Sequence, residues 1–136
     1  MKRFVASILI MGLVTFLPAS TAKANDAVRG VISSQIDAFL EDDFVTAFEF
    51  ASPMIQGMFR SPERFGEMVR NGYPMVWRPS DVEFLAVEDR DGAVVQTVRI
   101  TDGTGRQYYL EYDMIETPEG WLINGVRVQE AGDGLA

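Results

Sequence analysis

The fold is decided by the stretch AVVQTVRITDGTGRQYYLEYDMIE, residues 93–116. Apolar and polar side chains alternate on both sides of a turn at residues 102–105, and this period of two indicates strands with one buried face. Valine, isoleucine and tyrosine are frequent, as is typical of a pleated surface. Because two glycines keep the turn short, the stretch predicts two neighbouring antiparallel strands.

Two similar stretches flank this pair and extend it to a four-stranded sheet. Short turns at residues 91–92 and 118–120 separate them, so the strands should follow one another as an antiparallel meander. Asn124-Gly125 lies inside the last stretch, and we interpret it as a bulge within one strand. The expected strands are Val82–Glu88, Ala93–Thr101, Gln107–Glu116 and Trp121–Gln129.

Upstream of the strands, the apolar spacing changes to three and four residues, which indicates helices. The first predicted helix is Asp26–Glu41. A second, shorter helix over Phe44–Ala51 should end at Pro53. Residues 54–59 are too few to be assigned to either a helix or a strand.

The third predicted helix has a clearer beginning and end. Ser61-Pro62 combines a hydroxyl cap with a proline at the first helical position. Asn71-Gly72 should end the helix, with the glycine in the left-handed conformation. Helices followed by strands predict an α+β fold, in which the helices cover one face of a curved antiparallel sheet.

The first 24 residues have the order of a secretory signal peptide. Met1-Lys2-Arg3 is basic, residues 4–17 are mostly apolar, and small residues precede Asn25. The apolar run is shorter than the roughly 20 residues that a membrane-spanning helix needs. We therefore expect cleavage after Ala24 and export to a bacterial periplasm, with no stable membrane anchor afterwards.

Cleavage at this point leaves 112 residues, enough for one domain with one core. We assign residues 25–130 to a single α+β domain and residues 131–136 to a short flexible tail. The 112 residues contain nine arginines, no lysine and twenty acidic residues, a formal net charge of −11. A surface so acidic repels nucleic acid and anionic lipid, so neither is an expected partner.

The composition also excludes several kinds of site. The sequence has no cysteine and no histidine, and it has no lysine after Lys23. The usual ligands of zinc, copper and haem are therefore lacking, as are the usual base of a catalytic triad and the amine of a Schiff-base enzyme. We expect no metal site and no cofactor.

Two segments resemble a known family. The motif Phe65-x-x-Met68-Val69-Arg70-x-x-Tyr73, together with the ending Gly120-Trp121, is similar to the bacterial domain of unknown function 4864. The order of helices and strands resembles the cone-shaped fold of the nuclear transport factor 2-like superfamily, and the segment EGWLINGVRV, residues 119–128, resembles the last strand of that superfamily. That resemblance implies a cone between the helices and the concave face of the sheet. It transfers no catalytic residue, because the narrow family has no assigned activity.

The third predicted strand has an acidic face and an apolar face. Glu111 and Asp113 should point away from the helices. The face that should line the cone consists of Tyr108, Leu110, Tyr112 and Met114. With Gln96 of the preceding strand, the cone then holds an amide and two phenols but no base, so no catalytic residue is expected. The candidate ligand-binding residues are Tyr73, Trp77, Gln96, Tyr108 and Tyr112.

Three functions remain open on these observations. The leading hypothesis is a non-enzymatic periplasmic domain that binds a small apolar ligand in its cone or a protein partner. The alternative is a lyase- or isomerase-like enzyme that uses an acid in the cone. A third interpretation is a structural homodimer formed through the convex sheet face, around Val95, Thr97, Tyr109 and Ile115.

Overall fold

The computed structural model describes residues 19–129 and shows the expected α+β fold. Most of the expected signal peptide, residues 1–18, and the expected tail, residues 131–136, lie outside this range. The helices are α1 (Ala19–Leu40), α2 (Phe44–Glu49), α3 (Pro53–Phe59), α4 (Pro62–Gly72) and α5 (Pro74–Trp77). The strands are β1 (Asp81–Arg90), β2 (Ala93–Thr101), β3 (Gln107–Thr117) and β4 (Gly120–Gln129).

The sheet is an antiparallel meander in the order β1-β2-β3-β4, which confirms the expected topology. In the central pair Val98 lies opposite Leu110, so the apolar faces of β2 and β3 coincide. Asn124 is the extra residue of a bulge in β4, because Gly125 pairs with Asp113 and the next pair skips it. The predicted bulge is thus confirmed.

The helices cover one face of the sheet and form the core with it. The fully buried residues of this face include Val98, Ile100, Leu110, Tyr112 and Met114. On the opposite face the Arg127 guanidinium bonds the carboxylates of Glu111 and Asp113. The expected orientation of these two acids, away from the helices, is therefore confirmed.

The first helix begins at Ala19, well before the expected start at Asp26. Residues 19–24 read ASTAKA, and alanine and lysine are strong helix formers without an intervening breaker. The predicted start was too late because Asn25 or Asp26 was taken as the residue that caps the helix. Val28 is the first fully buried residue along the described range.

The expected second helix ends earlier than predicted, and Pro53 begins a helix rather than ending one. α2 stops at Glu49 because Phe50 and Ser52 turn to pair with β4 through both backbone groups of Ile123, at 2.8 Å each. Residues 53–59 then form α3, which the sequence left unassigned. Ser52 caps it as Ser61 caps α4, with a proline at the first turn in both cases.

The predicted left-handed glycine at the end of α4 is wrong. Gly72 keeps a negative φ, and the helix ends at Tyr73, whose φ is −135° and whose N–H donates to the carbonyl of Val69 at 2.8 Å. Proline disfavours the helical conformation at the residue before it, so Pro74 keeps Tyr73 out of α4 and starts α5. Within residues 19–129, no helix is long and apolar enough to cross a membrane.

Candidate functional site

A cavity of about 250 Å³ lies between the helices and β4. One wall is formed by α3 and α4, through residues such as Ile55 and Met68. The opposite wall is β4, where Ile123 and Val126 face the helices. Phe39 of α1 also lines the cavity. The centre of the sheet is already filled by core side chains, so this cavity lies to one side of it.

The position of α3 depends on Ser52 and the bulge in β4. The Ser52 hydroxyl donates to the side-chain oxygen of Asn124 at 2.7 Å and accepts the N–H of Ile55 at 3.3 Å. The amide of Gln56 donates to two carbonyls of the preceding segment, those of Phe48 and Ala51, at 3.0 Å each. The first turn of α3 is thus fixed to β4, and its apolar side faces the cavity.

Aromatic rings form the floor of the cavity. Phe65 lies at the centre of a cluster, with ring centroids 5.9 Å from Phe39, 5.8 Å from Phe59 and 5.2 Å from Phe48. These distances are in the range of favourable tilted and edge-to-face contacts. Two methionines, Met58 and Met68, complete the wall, and their flexible thioethers can adapt to ligands of different shape.

Two polar side chains reach the wall, and both already make hydrogen bonds. The Tyr73 hydroxyl donates to the carbonyl of Val126 at 3.0 Å. The Gln35 amide donates to the carbonyl of Ala47 at 3.1 Å. All other side chains that line the cavity in the described structure are apolar, apart from Gly125, which has none.

Of the five candidate residues, Tyr73 is the one that lines this cavity. Trp77 lies outside it, because its indole N–H donates to the carboxylate of Asp42 at 2.9 Å. The guanidinium of Arg78 covers the indole ring at 4.1 Å and donates to the same carboxylate at 2.9 Å. Trp77 therefore joins the end of α1 to α5.

Gln96 and Tyr112 are fully buried neighbours on β2 and β3. The Gln96 amide donates to the carbonyls of Leu85, Ala86 and Thr97 at 3.2, 3.3 and 2.8 Å. Leu85 and Ala86 form the bulge of β1, so Gln96 satisfies the backbone groups that the bulge leaves unpaired. Within residues 19–129, the Tyr112 hydroxyl has no hydrogen-bond partner, and burial raises its pKa.

Tyr108 lies at the edge of the same sheet face, half-exposed. Its hydroxyl donates to the carboxylate of Asp102 at 3.3 Å, and the Arg106 guanidinium lies 5.2 Å from its ring. These contacts fix the β2–β3 turn. The structure thus brings Gln96 and Tyr112 together in the core but leaves Tyr108 and Trp77 at separate places on the surface.

Sequence reasoning missed most of the cavity wall, in particular Gln35, Ile55, Met58 and Met68. A usable signal existed in α3: Ser52-Pro53 repeats the helix start that was recognised at Ser61-Pro62. Once α3 is accepted, Ile55, Met58 and Phe59 fall on one face at a spacing of three and four residues.

A second, more open cleft of about 640 Å³ lies where α1 passes the turns of the sheet. Trp121, Arg29, Asp89 and Glu116 border it, so its wall carries charges of both signs. It adjoins the first turns of α1, through residues such as Thr21 and Asn25. Within that range, no group of acidic side chains is arranged to hold a metal ion.

Most of this chain matches the model of one protein family. A family model described as Domain of unknown function (DUF4864) matches residues 21–134. The chain belongs to the DUF4864 family. The expected resemblance to that family is therefore confirmed, and the match covers both the cavity and the cleft. No curated protein matches the chain.

Proposed function

We propose that this protein is an exported, non-enzymatic domain that binds a small apolar molecule in the cavity between α3, α4 and β4. The observation that carries the proposal is the wall itself, which is almost entirely apolar and is lined by four aromatic rings and two methionines. Binding of an apolar molecule in this cavity of about 250 Å³ is favourable, because apolar surface of the ligand and of the wall is removed from water.

The same wall argues against the lyase or isomerase alternative. Abstraction of a proton needs a base within hydrogen-bond reach of the substrate. In the described structure no carboxylate lines the cavity, and the hydroxyl of Tyr73 is engaged with Val126. Glu111 and Asp113, the acids nearest in sequence to the cone residues, bond Arg127 on the far side of the sheet.

Export to the periplasm and membership of the nuclear transport factor 2-like superfamily are parts of the same proposal. The basic start, the short apolar run and the small residues before Asn25 support export. The order of helices and a meander, with a cavity between them, supports the superfamily. A dimer through the outer sheet face is less favoured, because ion pairs of Arg90, Arg99 and Arg127 cover much of that face.

The test is a titration with small apolar probes, 1-heptanol and indole, followed by amide NMR shifts. Gly125 lines the cavity and is a convenient reporter, whereas Gly103 in the β2–β3 turn is a remote reference. We expect saturable shifts at Gly125 and none at Gly103. Ile55→Trp should fill the cavity and abolish them.

Met54→Trp is the matched control, because Met54 is the preceding residue of α3 and its side chain is 54% exposed. This variant should bind as the original protein does. Thermal unfolding of both variants establishes that they are folded, since extra volume in a core commonly costs about 1–3 kcal/mol. Equal loss of binding in both variants, or no saturable shift in the original protein, would contradict the proposal.

A further inference from the structure

We propose that the cavity selects an uncharged molecule of about eight non-hydrogen atoms that donates one hydrogen bond to the hydroxyl oxygen of Tyr73. This inference rests on the proposed function and adds to it the size, charge and polar group of the ligand. Short-chain alcohols and small aryl alcohols belong to this chemical class.

The size follows from the volume. A non-hydrogen atom of a small molecule occupies about 30 Å³, the share of one water molecule in the liquid. The cavity of about 250 Å³ therefore holds about eight such atoms.

The polar group follows from how Tyr73 is used. A phenol has one hydrogen to donate, and Tyr73 donates it to the carbonyl of Val126 at 3.0 Å. Tyr73 and Val126 both line the cavity, and from this we infer that their hydrogen bond lies in its wall. The hydroxyl oxygen of Tyr73 can still accept a hydrogen bond, and a donor group on the ligand can supply it.

The charge follows from the rest of the wall. In the described structure no charged side chain lines the cavity, so an ionised ligand would lose its hydration without gaining a counter-ion. An anion has a further disadvantage, because the protein is acidic, with a formal net charge of −8 over the whole sequence. A carboxylate would also face the Tyr73 oxygen as acceptor against acceptor.

The experiment compares ligands that share one carbon content. 1-Heptanol and methyl hexyl ether are isomers of eight non-hydrogen atoms, and the alcohol alone has a hydroxyl to donate. Heptanoate at pH 8 and heptylammonium add a charge. Dissociation constants come from the Gly125 amide shifts, with the original protein, Tyr73→Phe and the matched variant Tyr109→Phe, whose hydroxyl lies on the outer sheet face.

We expect the original protein and Tyr109→Phe to bind heptanol about threefold to tenfold more tightly than the ether, as one hydrogen bond allows. Tyr73→Phe should bind heptanol and the ether with nearly equal dissociation constants. In the original protein, heptanoate and heptylammonium should each bind at least about tenfold more weakly than heptanol. Equal binding of heptanol, ether and heptanoate at Gly125 would overturn the selectivity and leave the binding function intact. Absence of shifts with every ligand would overturn both.

Discussion

Asp42 holds together the ends of two helices with a single side chain. Its backbone takes a left-handed conformation, with φ at 56°, which reverses the chain after α1. Its carboxylate accepts from the Trp77 indole and from the Arg78 guanidinium, and these hydrogen bonds hold the pKa of the carboxyl below its usual value. Arg78 also donates to the last-turn carbonyl of Phe39 at 2.7 Å.

This arrangement predicts a pH dependence of stability. A carboxyl whose pKa is lowered in the folded state stabilises the fold above its unfolded pKa of about 3.9, and that contribution is lost as the pH falls through the folded pKa. Asp42→Asn should therefore lower the thermal midpoint at pH 7, and the difference from the original protein should shrink progressively as the pH falls below about 3.9. A constant difference between the two proteins at every pH would contradict the assignment.

Gln96 illustrates a buried amide that serves the backbone. Gln96→Leu keeps the volume but removes the donors for the carbonyls of the β1 bulge, and it should cost about 1–3 kcal/mol in urea unfolding. Thr97→Val, at the next position and on the opposite face, should change stability by less than about 0.5 kcal/mol. Apolar-probe binding should survive Gln96→Leu, because Gln96 does not line the cavity. A near-neutral Gln96→Leu would show that the bulge is satisfied by water.

At the scale of elements, α3 and α4 begin alike but are held differently. The caps of both are serine followed by proline, with Ser52 bonding Ile55 and Ser61 bonding Arg64. Only Ser52 also donates to Asn124 of β4, and it is fully buried, whereas Ser61 is half-exposed. The Ser52 hydroxyl therefore joins the start of α3 to the bulge of β4, a contact that the Ser61 hydroxyl does not make for α4.

Ser52→Ala should accordingly be more damaging than Ser61→Ala. Loss of the Ser61 cap should cost about 1 kcal/mol. Loss of Ser52 should cost about 2 kcal/mol, because the cap and the hydrogen bond to Asn124 disappear together. A double-mutant cycle with Asn124→Ala measures the coupling. Equal losses for the two serines, with no coupling to Asn124, would mean that α3 is not held by the bulge.

Elements with a regular period were predicted well, and short elements were not. The four strands, their order and the Asn124 bulge agree with the structure, because alternation over nine to eleven residues allows one register with the apolar face inward. α3 has seven residues and α5 has four, too few for a periodic pattern. Their helical state is decided by caps, prolines and tertiary contacts.

At the scale of the whole molecule, the removal of residues 1–24 should leave the fold intact. Residues 21–23 are exposed in α1, and Val28 is the first fully buried residue in the part of the chain whose burial the structure describes. Chains that begin at Thr21 and at Asn25 should therefore have thermal midpoints within about 2 °C of each other. A chain that begins at Arg29 loses the buried Val28, worth about 1.5–3 kcal/mol, and should melt several degrees lower.

The same boundary tests export in cells. Mass spectrometry of the periplasmic protein should find Asn25 as its first residue, with a start after Ala22 as the alternative that the small residues before it also permit. Recovery of the uncleaved chain in the membrane fraction would contradict both export and the assignment of residues 1–24.

The sequence by itself determined the presence of α1, α2 and α4, the order of the four strands, the outward direction of Glu111 and Asp113, and the family. These depend on local period and on motifs that each segment carries alone. Only the tertiary structure decided where the cavity lies and which polar groups reach it. The five candidate residues were chosen because their side chains are aromatic or amide groups, which often contact ligands. Three of them make hydrogen bonds away from the cavity: Trp77 to Asp42, Gln96 to the β1 bulge and Tyr108 to Asp102. A hydrogen-bond partner that is distant in sequence leaves no local pattern. The partner of each of these polar side chains was therefore decided by the tertiary structure alone.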